Sequence, residues 1–338
     1  MLRKPTVTVI VPLFNNEITI CDTLQSIINT SYEQLEIIVF NDGSTDSSLE
    51  KVNQFKANLP NTSPIKINIT SHPKNENRGV SLTRNKAIEF VNTSYVSFLD
   101  ADDLYLPNRF DEVLSLLDAD PNIDAAYGLF ERYRESSLKK ESSWLQSIYS
   151  DSGYLENNFS NLSVGESVSL QDLLSGASGI HISTITFKTS SLRKLDGFPH
   201  LIYGEDQALF LRAISTQKVV KATEKTVSIY RINDDSSCFR GCSSFEFNFS
   251  DVLAYIDTIK WLSKKHDSNN SSEFIKSKLS GKLFHSYSKY KNAQDSTTFR
   301  DDYDRKKIFF TFINSSMLDK RILLRLNFYK IILKIFFQ

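Results

Sequence analysis

The sequence has 338 residues, of which 40% are hydrophobic and 24% are charged, with 40 Lys and Arg against 40 Asp and Glu. Such a composition is typical of a globular protein with at least one sizeable core, and the zero net charge gives no general affinity for nucleic acid. Its three cysteines, Cys21, Cys238 and Cys242, are too few for a disulfide framework and lack zinc-ligand spacing, so we interpret them as free thiols.

The first hundred residues alternate between strand and helix patterns. Buried strands are predicted from runs of apolar and β-branched residues at Thr6–Val11, Leu35–Phe40, Ile65–Thr70 and Tyr95–Leu99. Helices are predicted between them, over Ile18–Ile28, from about Ser47, and over Val80–Val91. This alternation predicts an α/β fold with a Rossmann-like, mostly parallel sheet and helices on both faces.

The pattern is less regular after residue 103. A helix with an apolar stripe is predicted behind Pro107, and the polar stretch 131–165 predicts a long loop or insertion. Further elements are predicted as a strand over Ile180–Phe187, a helix over Asp206–Ser215 and strands within Lys218–Arg231. From about residue 245 the pattern is helical, which predicts two parts: an α/β domain over 1–240 and a helical region over 241–338.

The last segment, 320–337, is apolar but carries four cations on one side of a predicted helix, Arg321, Arg325, Lys330 and Lys334. This pattern is equally consistent with a helix lying in a membrane interface and with a helix that packs on the domain. The sequence shows no secretory signal and no apolar run of membrane-spanning length. We therefore expect a cytoplasmic protein, and peripheral attachment to the cytoplasmic face of the membrane is one of the two roles for 320–337.

Three predicted strands end in polar or acidic residues, at 12–17, 41–46 and 100–103. Each stretch alone is more often a turn or a helix cap than a binding site. Together, at one edge of a parallel sheet, they predict a ligand pocket. Because no glycine-rich phosphate loop is present, a divalent cation between a carboxylate and a diphosphate is the direct way to neutralise phosphate charge there.

The residues of this region resemble glycosyltransferase family 2, whose enzymes have the GT-A fold. Six segments match in the family's order and cover roughly residues 5 to 240: VTVIVPLFNNE (7–17), LEIIVFNDGSTDSS (35–48), NRGVSLTRNKAI (77–88), YVSFLDADDLYLP (95–107), GFPHLIYGEDQALFLRA (197–213) and YRINDDSS (230–237). The resemblance implies a metal-dependent, inverting hexosyltransferase that takes a sugar from a nucleotide-sugar donor, with UDP as the nucleotide. The acceptor it implies is a hydroxyl of a glycan or lipid-linked saccharide, in surface polysaccharide synthesis.

The resemblance also implies roles for individual positions. On the donor side these are nucleoside-pocket lining for Pro12, Phe14 and Glu17, base contact for Asp42, ribose contact for Asp100 and ligation of Mn²⁺ or Mg²⁺ for Asp102. Asp206 corresponds to the general base, and Glu205 substitutes for it or helps to bind the acceptor. Arg84 braces the pocket or the diphosphate, with a structural ion pair as the alternative. The alternative for Glu205 and Asp206 is a pair of first-turn acids that the helix dipole favours.

Two positions depart from the family pattern. Asn41 stands where relatives often have Asp, and Asn233 stands where many have a His two residues after an Arg. The second departure shifts the expected diphosphate contact toward Arg231. The absence of a Gln-x-x-Arg-Trp motif argues against a processive synthase. Two other functions stay open: a sugar nucleotidyltransferase, which would need a glycine-rich loop after the first strand, and a non-catalytic nucleotide-sugar-binding module.

Overall fold

A computed structural model describes residues 7–60, 62–134, 155–157, 160–232, 250–265 and 271–279. Its nine strands are β1 (Val7–Leu13), β2 (Leu35–Asn41), β3 (Lys66–Ser71), β4 (Tyr95–Phe98), β5 (Leu104–Tyr105), β6 (Ala125–Arg134), β7 (Leu155–Asn157), β8 (Ile185–Lys188) and β9 (Val219–Ile232). They form one sheet in the order β3-β2-β1-β4-β8-β6-β9-β5, with β7 paired to β6.

The helices bear out most of the predicted pattern. They are α1 (Ile20–Ile28), α2 (Ser48–Ala57), α3 (Val80–Glu89), α4 (Asp111–Ala119), α5 (Leu170–Ser175), α6 (Thr189–Lys194), α7 (Glu205–Thr216), α8 (Ser250–Lys264) and α9 (271–279), with a 3₁₀ turn at Pro73–Asn75. No helix within these described stretches combines the length and apolarity needed to cross a membrane.

The sheet has a parallel half and a mixed half. Strands β3, β2, β1 and β4 are parallel to one another, as expected for strands joined by crossover helices. Beyond β4, strand β8 is antiparallel to both β4 and β6, whereas β6 and β9 are parallel. The prediction of an α/β sheet is confirmed. The reversal at β8 brings the start of that strand to the edge where β4 ends, because Ser97 pairs with Thr186.

Two hydrophobic cores lie on the two faces of the sheet. Along β1, Val9 and Val11 contribute to one core and Ile10 to the other, because successive side chains of a strand point to opposite faces. All three are completely buried, which explains the near-continuous apolar sequence of this strand. The core that contains Ile10 also receives apolar residues of α8 and α9, including Tyr255 and Ile275.

Several boundaries differ from the predicted ones. Strand β1 continues through Pro12 to Leu13, because β4 pairs with β1 only as far as Ile10 and the strand has a single neighbour beyond it. The strand predicted from Ile180 begins only at Ile185, since a turn precedes it in which Thr184 N–H bonds to the carbonyl oxygen of His181. The stretch expected to be a loop, 131–165, contributes the end of β6 and the short β7.

Residues 107–110 form turns before α4, which begins at Asp111 rather than next to Pro107. The division at residue 240 stays a prediction. Cys238, Cys242, Asn233 and the segment 320–337 lie outside the described residues.

Candidate active site

The loop after β1 is tied to the loop after β2. Asn15 has a positive φ of 52°, which turns the chain so that its side-chain oxygen accepts the Thr45 N–H at 2.8 Å. The preceding Phe14 is 43% exposed, a high value for a large apolar side chain in a well-packed domain. Its ring is therefore available to a flat ligand at the carboxyl edge of the sheet.

Glu17 and Pro12 line the same edge in different ways. The Glu17 carboxylate accepts the Ser47 N–H at 3.0 Å, which places a negative charge at the first turn of α2. The Glu17 carbonyl oxygen accepts from Lys51 Nζ at 2.9 Å, which fixes the loop on α2. Pro12 is half-buried in β1. Of the three residues predicted to line a nucleoside pocket, Phe14 is the most exposed.

Asp42 is almost completely buried, with 4% exposure, and both of its carboxylate oxygens are engaged by the backbone. They accept the N–H of Arg78 at 2.7 Å and of Gly79 at 3.0 Å, just where α3 begins. His72 lies 3.4 Å from the same carboxylate, and burial lowers its pKa despite that acid. Asp42 thus anchors the entry to α3, the helix that carries Arg84.

Asn41 braces the turn after β2. Its side chain donates to Asn75 Oδ1 at 2.6 Å and accepts the Ser44 N–H at 3.1 Å. A carboxylate at position 41 could make the second of these contacts but not the first. Gly43, with φ at 77°, lies so close to the neighbouring loop that a Cβ would be 2.7 Å from the Asn75 carbonyl oxygen. Asn41, which stands where relatives often have Asp, is therefore matched in this structure by its hydrogen bond to Asn75.

Arg84 joins the two acidic segments that the sequence separates by a hundred residues. Its guanidinium donates to Asp100 at 2.6 Å, to Asp206 at 2.8 Å and to Glu205 at 3.0 Å. The Arg84 residue is 1% exposed, and its Cζ lies 5.1 Å from the centre of the Phe198 ring. One buried cation thus holds the acid that follows β4 beside the two acids that begin α7.

The geometry of α7 depends on Gly204, which precedes it in the left-handed region with φ at 84°. A Cβ there would lie 2.7 Å from the Ser250 carbonyl oxygen at the start of α8. Only glycine allows this close approach and this conformation together. The turn directs Glu205 and Asp206, in the first turn of α7, toward Arg84.

The acids of the site outnumber the cations that face them. Burial opposes the charged form of Arg84, but its three carboxylate partners outweigh that effect and raise its pKa. Burial also raises the pKa of Asp206 and of Glu205, and Arg84 only partly compensates because three carboxylates share it. Asp206 is therefore a stronger proton acceptor than an ordinary surface aspartate.

The middle acids of the cluster differ in exposure. Asp102 is half-buried, and burial together with the charge of Asp100 raises its pKa to about 6, against the opposing charge of Arg231. Asp103 is completely buried, accepts the Arg231 N–H at 3.0 Å, and has a strongly raised pKa through burial and the neighbouring acids. Arg231 is itself 4% exposed, so its guanidinium is buried.

Among the described residues, no three His, Cys, Asp or Glu side chains are arranged to hold a metal ion by themselves. Asp102 nevertheless fits a site completed by a ligand. It is half-exposed, and burial first and the negative charge of Asp100 second raise its pKa, so that negative charge gathers at a site that solvates it poorly. A divalent cation that takes one or two protein carboxylates and otherwise phosphate oxygens would neutralise that charge.

Two residues at this edge were not predicted from the sequence. Arg109 is completely buried and donates to the carbonyl oxygens of Ser183 and Ile185, both at 3.0 Å. His181 lies in the segment that Arg109 holds, near enough to Asp100 and Arg84 for their charges to act on it. In the sequence, His181 stands out only as a polar residue inside an apolar run, and strand patterns also contain such residues.

The family model described as glycosyl transferase family 2 matches residues 8–169, from β1 to the residue before α5. An uncharacterized glycosyltransferase of Rickettsia bellii is 26% identical over 265 residues, which cover 78% of this chain and 34% of the relative. Residues 8–169 thus match glycosyltransferase family 2, and this match supports a family 2 glycosyltransferase. The resemblance seen in the sequence is thereby confirmed.

Other relatives of this family 2 glycosyltransferase have more specific names. The Escherichia coli UDP-Glc:alpha-D-GlcNAc-diphosphoundecaprenol beta-1,3-glucosyltransferase WfgD is 29% identical over 132 residues, 39% of this chain and 48% of WfgD. The crystal structure of Staphylococcus aureus TarS 1-349 in complex with UDP-GlcNAc matches 94% of this chain and 82% of TarS 1-349, with a TM-score of 0.63 and 16% identity. This match confirms the GT-A fold. The chain spans 34% of the length of the Rickettsia relative and about half that of WfgD.

Proposed function

We propose that this family 2 glycosyltransferase transfers a hexosyl group, with inversion, from a UDP-sugar to a hydroxyl of a glycan or lipid-linked saccharide. The observation that carries the proposal is the cluster around Arg84. It holds Asp100, at the end of a strand in the nucleotide-binding half, within one guanidinium of Asp206, at the start of α7. In this proposal, donor contact and proton removal fall to two carboxylates that share one guanidinium, and this proximity supports a direct displacement.

The donor's nucleoside lies, in this proposal, over the carboxyl ends of β1, β2 and β4. Phe14 offers an exposed ring for the base, and Pro12 and Glu17 complete the wall. Asp42, whose carboxylate accepts two backbone N–H groups at the start of α3, is proposed to contact the base of the nucleoside. Asp100 remains 31% exposed although it is paired with Arg84, so its free oxygen can accept from a ribose hydroxyl.

Neutralising the diphosphate requires positive charge beside the acids. Asp102 would hold Mn²⁺ or Mg²⁺, with the remaining ligands from phosphate and water. When bound, such a cation neutralises the departing nucleoside diphosphate as a Lewis acid. Arg231, buried behind Asp102, adds a fixed positive charge on the same side.

Asp206 is the proposed general base. Its carboxylate is 28% exposed, so an acceptor hydroxyl can reach it, and its raised pKa makes it a stronger proton acceptor than an ordinary aspartate. Attack by one deprotonated hydroxyl on the anomeric carbon is a single displacement, which inverts that carbon. Glu205 is less exposed, at 12%, and is proposed to orient Arg84 and the acceptor.

The names of relatives support the substrate class. WfgD is named for a UDP-glucose donor and a diphosphoundecaprenol-linked acceptor, and TarS 1-349 was crystallised with UDP-GlcNAc. We infer a UDP-sugar donor and a lipid-linked or polymeric saccharide acceptor for this chain as well. Attachment of 320–337 to the cytoplasmic face of the membrane remains part of the proposal, because such an acceptor would be held there.

The deciding experiment combines binding with transfer. Thermal unfolding is measured with UDP, GDP, UDP-glucose, UDP-galactose and UDP-GlcNAc, each with and without Mn²⁺, because a ligand of the native state raises its stability. We expect UDP and one UDP-sugar to raise Tm only with Mn²⁺, and the Asp102→Asn variant to lose that increase. Loss of donor sugar is then followed with p-nitrophenyl glycosides as acceptors, for the wild type and Asp206→Asn.

Three outcomes would contradict the proposal. Binding without consumption of any UDP-sugar would support a non-catalytic module. Release of pyrophosphate from UTP and a sugar phosphate would support a nucleotidyltransferase. Full transfer by Asp206→Asn would remove the assigned base, and Lys225→Met, which alters a surface cation paired with Glu112 outside the acidic cluster, serves as the matched control for general loss of folding.

A further inference from the structure

His181 lies at the same edge of the sheet as the acidic cluster, on the side away from the nucleoside loops. Strand β8 is antiparallel to β4, so the residues just before Ile185 lie where β4 ends and Asp100 follows. In the strand order of the sheet, β1 and β2 lie on one side of β4, and β8 lies on the other. His181 and the loops that carry Phe14 and Asp42 therefore flank Asp100 from opposite sides.

The His181 ring has one engaged and one available nitrogen. Its Nδ1 accepts the Ser183 N–H at 3.3 Å and lies 2.7 Å from Ser183 Oγ, so the ring proton is on Nε2. Burial lowers the pKa of His181 to about 4, which keeps the ring neutral. Within the described part of the chain Nε2 has no hydrogen-bond partner, and it is not among the buried atoms that lack one. The half-exposed ring therefore presents an N–H donor to solvent.

The orientation of this ring is fixed on two sides. Its centroid lies 4.6 Å from that of Phe130 and 5.1 Å from that of Tyr230. Ser183 Oγ, which contacts Nδ1, is also 2.8 Å from Ser228 Oγ on β9. Phe130 lies on β6, and Ser228 and Tyr230 lie on β9. These two strands are parallel, with Phe130 paired to Ser228, so both run toward the same edge of the sheet.

Arg109 fixes the backbone under the ring. Its guanidinium donates to Ser183 O, Ile185 O and Thr186 Oγ1, and it lies 4.8 Å from the centre of the Tyr105 ring. None of these contacts is with a carboxylate, and burial lowers the pKa of Arg109. Burying a cation whose partners are two neutral carbonyl groups costs free energy. This cost indicates that the position of this turn matters to the protein.

We propose that His181 is an acceptor-binding residue, which donates a hydrogen bond from Nε2 to a hydroxyl of the acceptor saccharide beside Asp206. This inference rests on the proposed function. A neutral donor suits an uncharged hydroxyl better than a diphosphate, and its place across Asp100 from the nucleoside loops suits the acceptor rather than the base. Asp206 and His181 would then contact the same saccharide, one removing a proton and the other setting the orientation of the ring.

The test uses the full-length protein with ¹⁵N-labelled histidine, in the presence of UDP and Mg²⁺. The probes are p-nitrophenyl glycosides of glucose, galactose, mannose and N-acetylglucosamine. We expect His181, assigned by loss of its signals in His181→Gln, to show an Nε2–H tautomer at pH 7. At least one glycoside should shift its Nε2 signal. A charged ring, the opposite tautomer, or no shift with any glycoside would overturn the proposal.

Affinity measurements on variants distinguish a direct contact between His181 and the acceptor from a purely structural role of this residue. His181→Phe should weaken the glycoside, as KM or Kd, by about 3- to 10-fold, the effect of one lost hydrogen bond, and leave the Kd of UDP unchanged. His181→Gln retains an N–H donor and should recover part of the affinity. Ile67→Ala, at a buried position of β3 on the far edge of the sheet, is the packing control: Tm should fall while glycoside affinity stays within twofold.

The possible failures are distinct. If UDP-sugars neither bind nor react with the wild type, the proposed function fails, and the tautomer and glycoside shifts still decide the role of His181. If UDP binds normally but His181→Phe weakens UDP as much as the glycoside, the contact is with the donor and the inference fails alone.

Discussion

The Arg84→Met variant removes the guanidinium that Asp100, Glu205 and Asp206 share. Methionine has a similar length and fits the space against Phe198, so the change removes charge and hydrogen bonds more than volume. Three carboxylates are then left facing one another at the start of α7 and the end of β4. We expect a large loss of stability together with loss of activity.

The magnitude follows from burial. Removing one partner of a buried ion pair costs about 3–5 kcal/mol, because the remaining charge is left without compensation. The three acids are 31%, 12% and 28% exposed, so water can partly solvate them, and the lower end of the range is expected. About 3 kcal/mol lowers Tm by roughly 6–12 °C for a domain of this size.

Urea unfolding and thermal scans at pH 7 and pH 5 measure this loss. Without Arg84 the pKa values of Glu205 and Asp206 rise further, so the folded variant binds protons more tightly than the unfolded chain. Its deficit relative to the wild type should therefore shrink as the pH falls from 7 to 5. Arg78→Met is the matched control, since Arg78 pairs with Glu76 at the surface and should change stability by less than about 0.5 kcal/mol.

A second substitution tests the cause. In Arg84→Met combined with Asp206→Asn, one of the exposed negative charges is removed, so part of the lost stability should return. The reasoning about Arg84 is refuted if Arg84→Met unfolds like Arg78→Met, if its deficit grows at pH 5, or if the double variant is less stable by the full sum of both changes.

Three further predictions concern the remaining parts of the site. Asp206→Asn should lower kcat for transfer by about 10²- to 10⁴-fold without changing the calorimetric Kd of UDP; an unchanged kcat contradicts its role as base. Because burial raises the pKa of Asp206, kcat/KM should fall on the acid side at a pH above the ordinary carboxyl value of about 3.9, and a limb at or below that value contradicts the assignment. Gly43→Ala should destabilise the protein by about 1–3 kcal/mol in urea, because its positive φ and the 2.7 Å approach to Asn75 leave no room for a methyl group; Gly165→Ala, with open space around it, isolates the effect of φ.

The strand pattern and the donor-side acids could be predicted from the sequence for a local reason. Apolar, β-branched runs such as those at β1 and β2 have few alternatives to a buried strand, and parallel strands place their ends at one edge. The positions of Asp42, Asp100 and Asp102 after two of these strands therefore predict a shared pocket. The six segments in order added the family, which the comparisons confirm.

The sequence by itself thus determined the parallel half of the sheet and the acids that stand at the edge where the pocket is predicted. Only the tertiary structure decided which charges meet. Arg84 lies in a helix whose sequence shows no sign of its three partners, and His181 lies in an apolar run that predicts a strand. Both depend on contacts across long sequence separations, through the reversal of β8 and the glycine turn before α7. Such contacts leave no periodic pattern in the chain, because hydrophobic periodicity records which face of an element is buried and not which residue lies opposite.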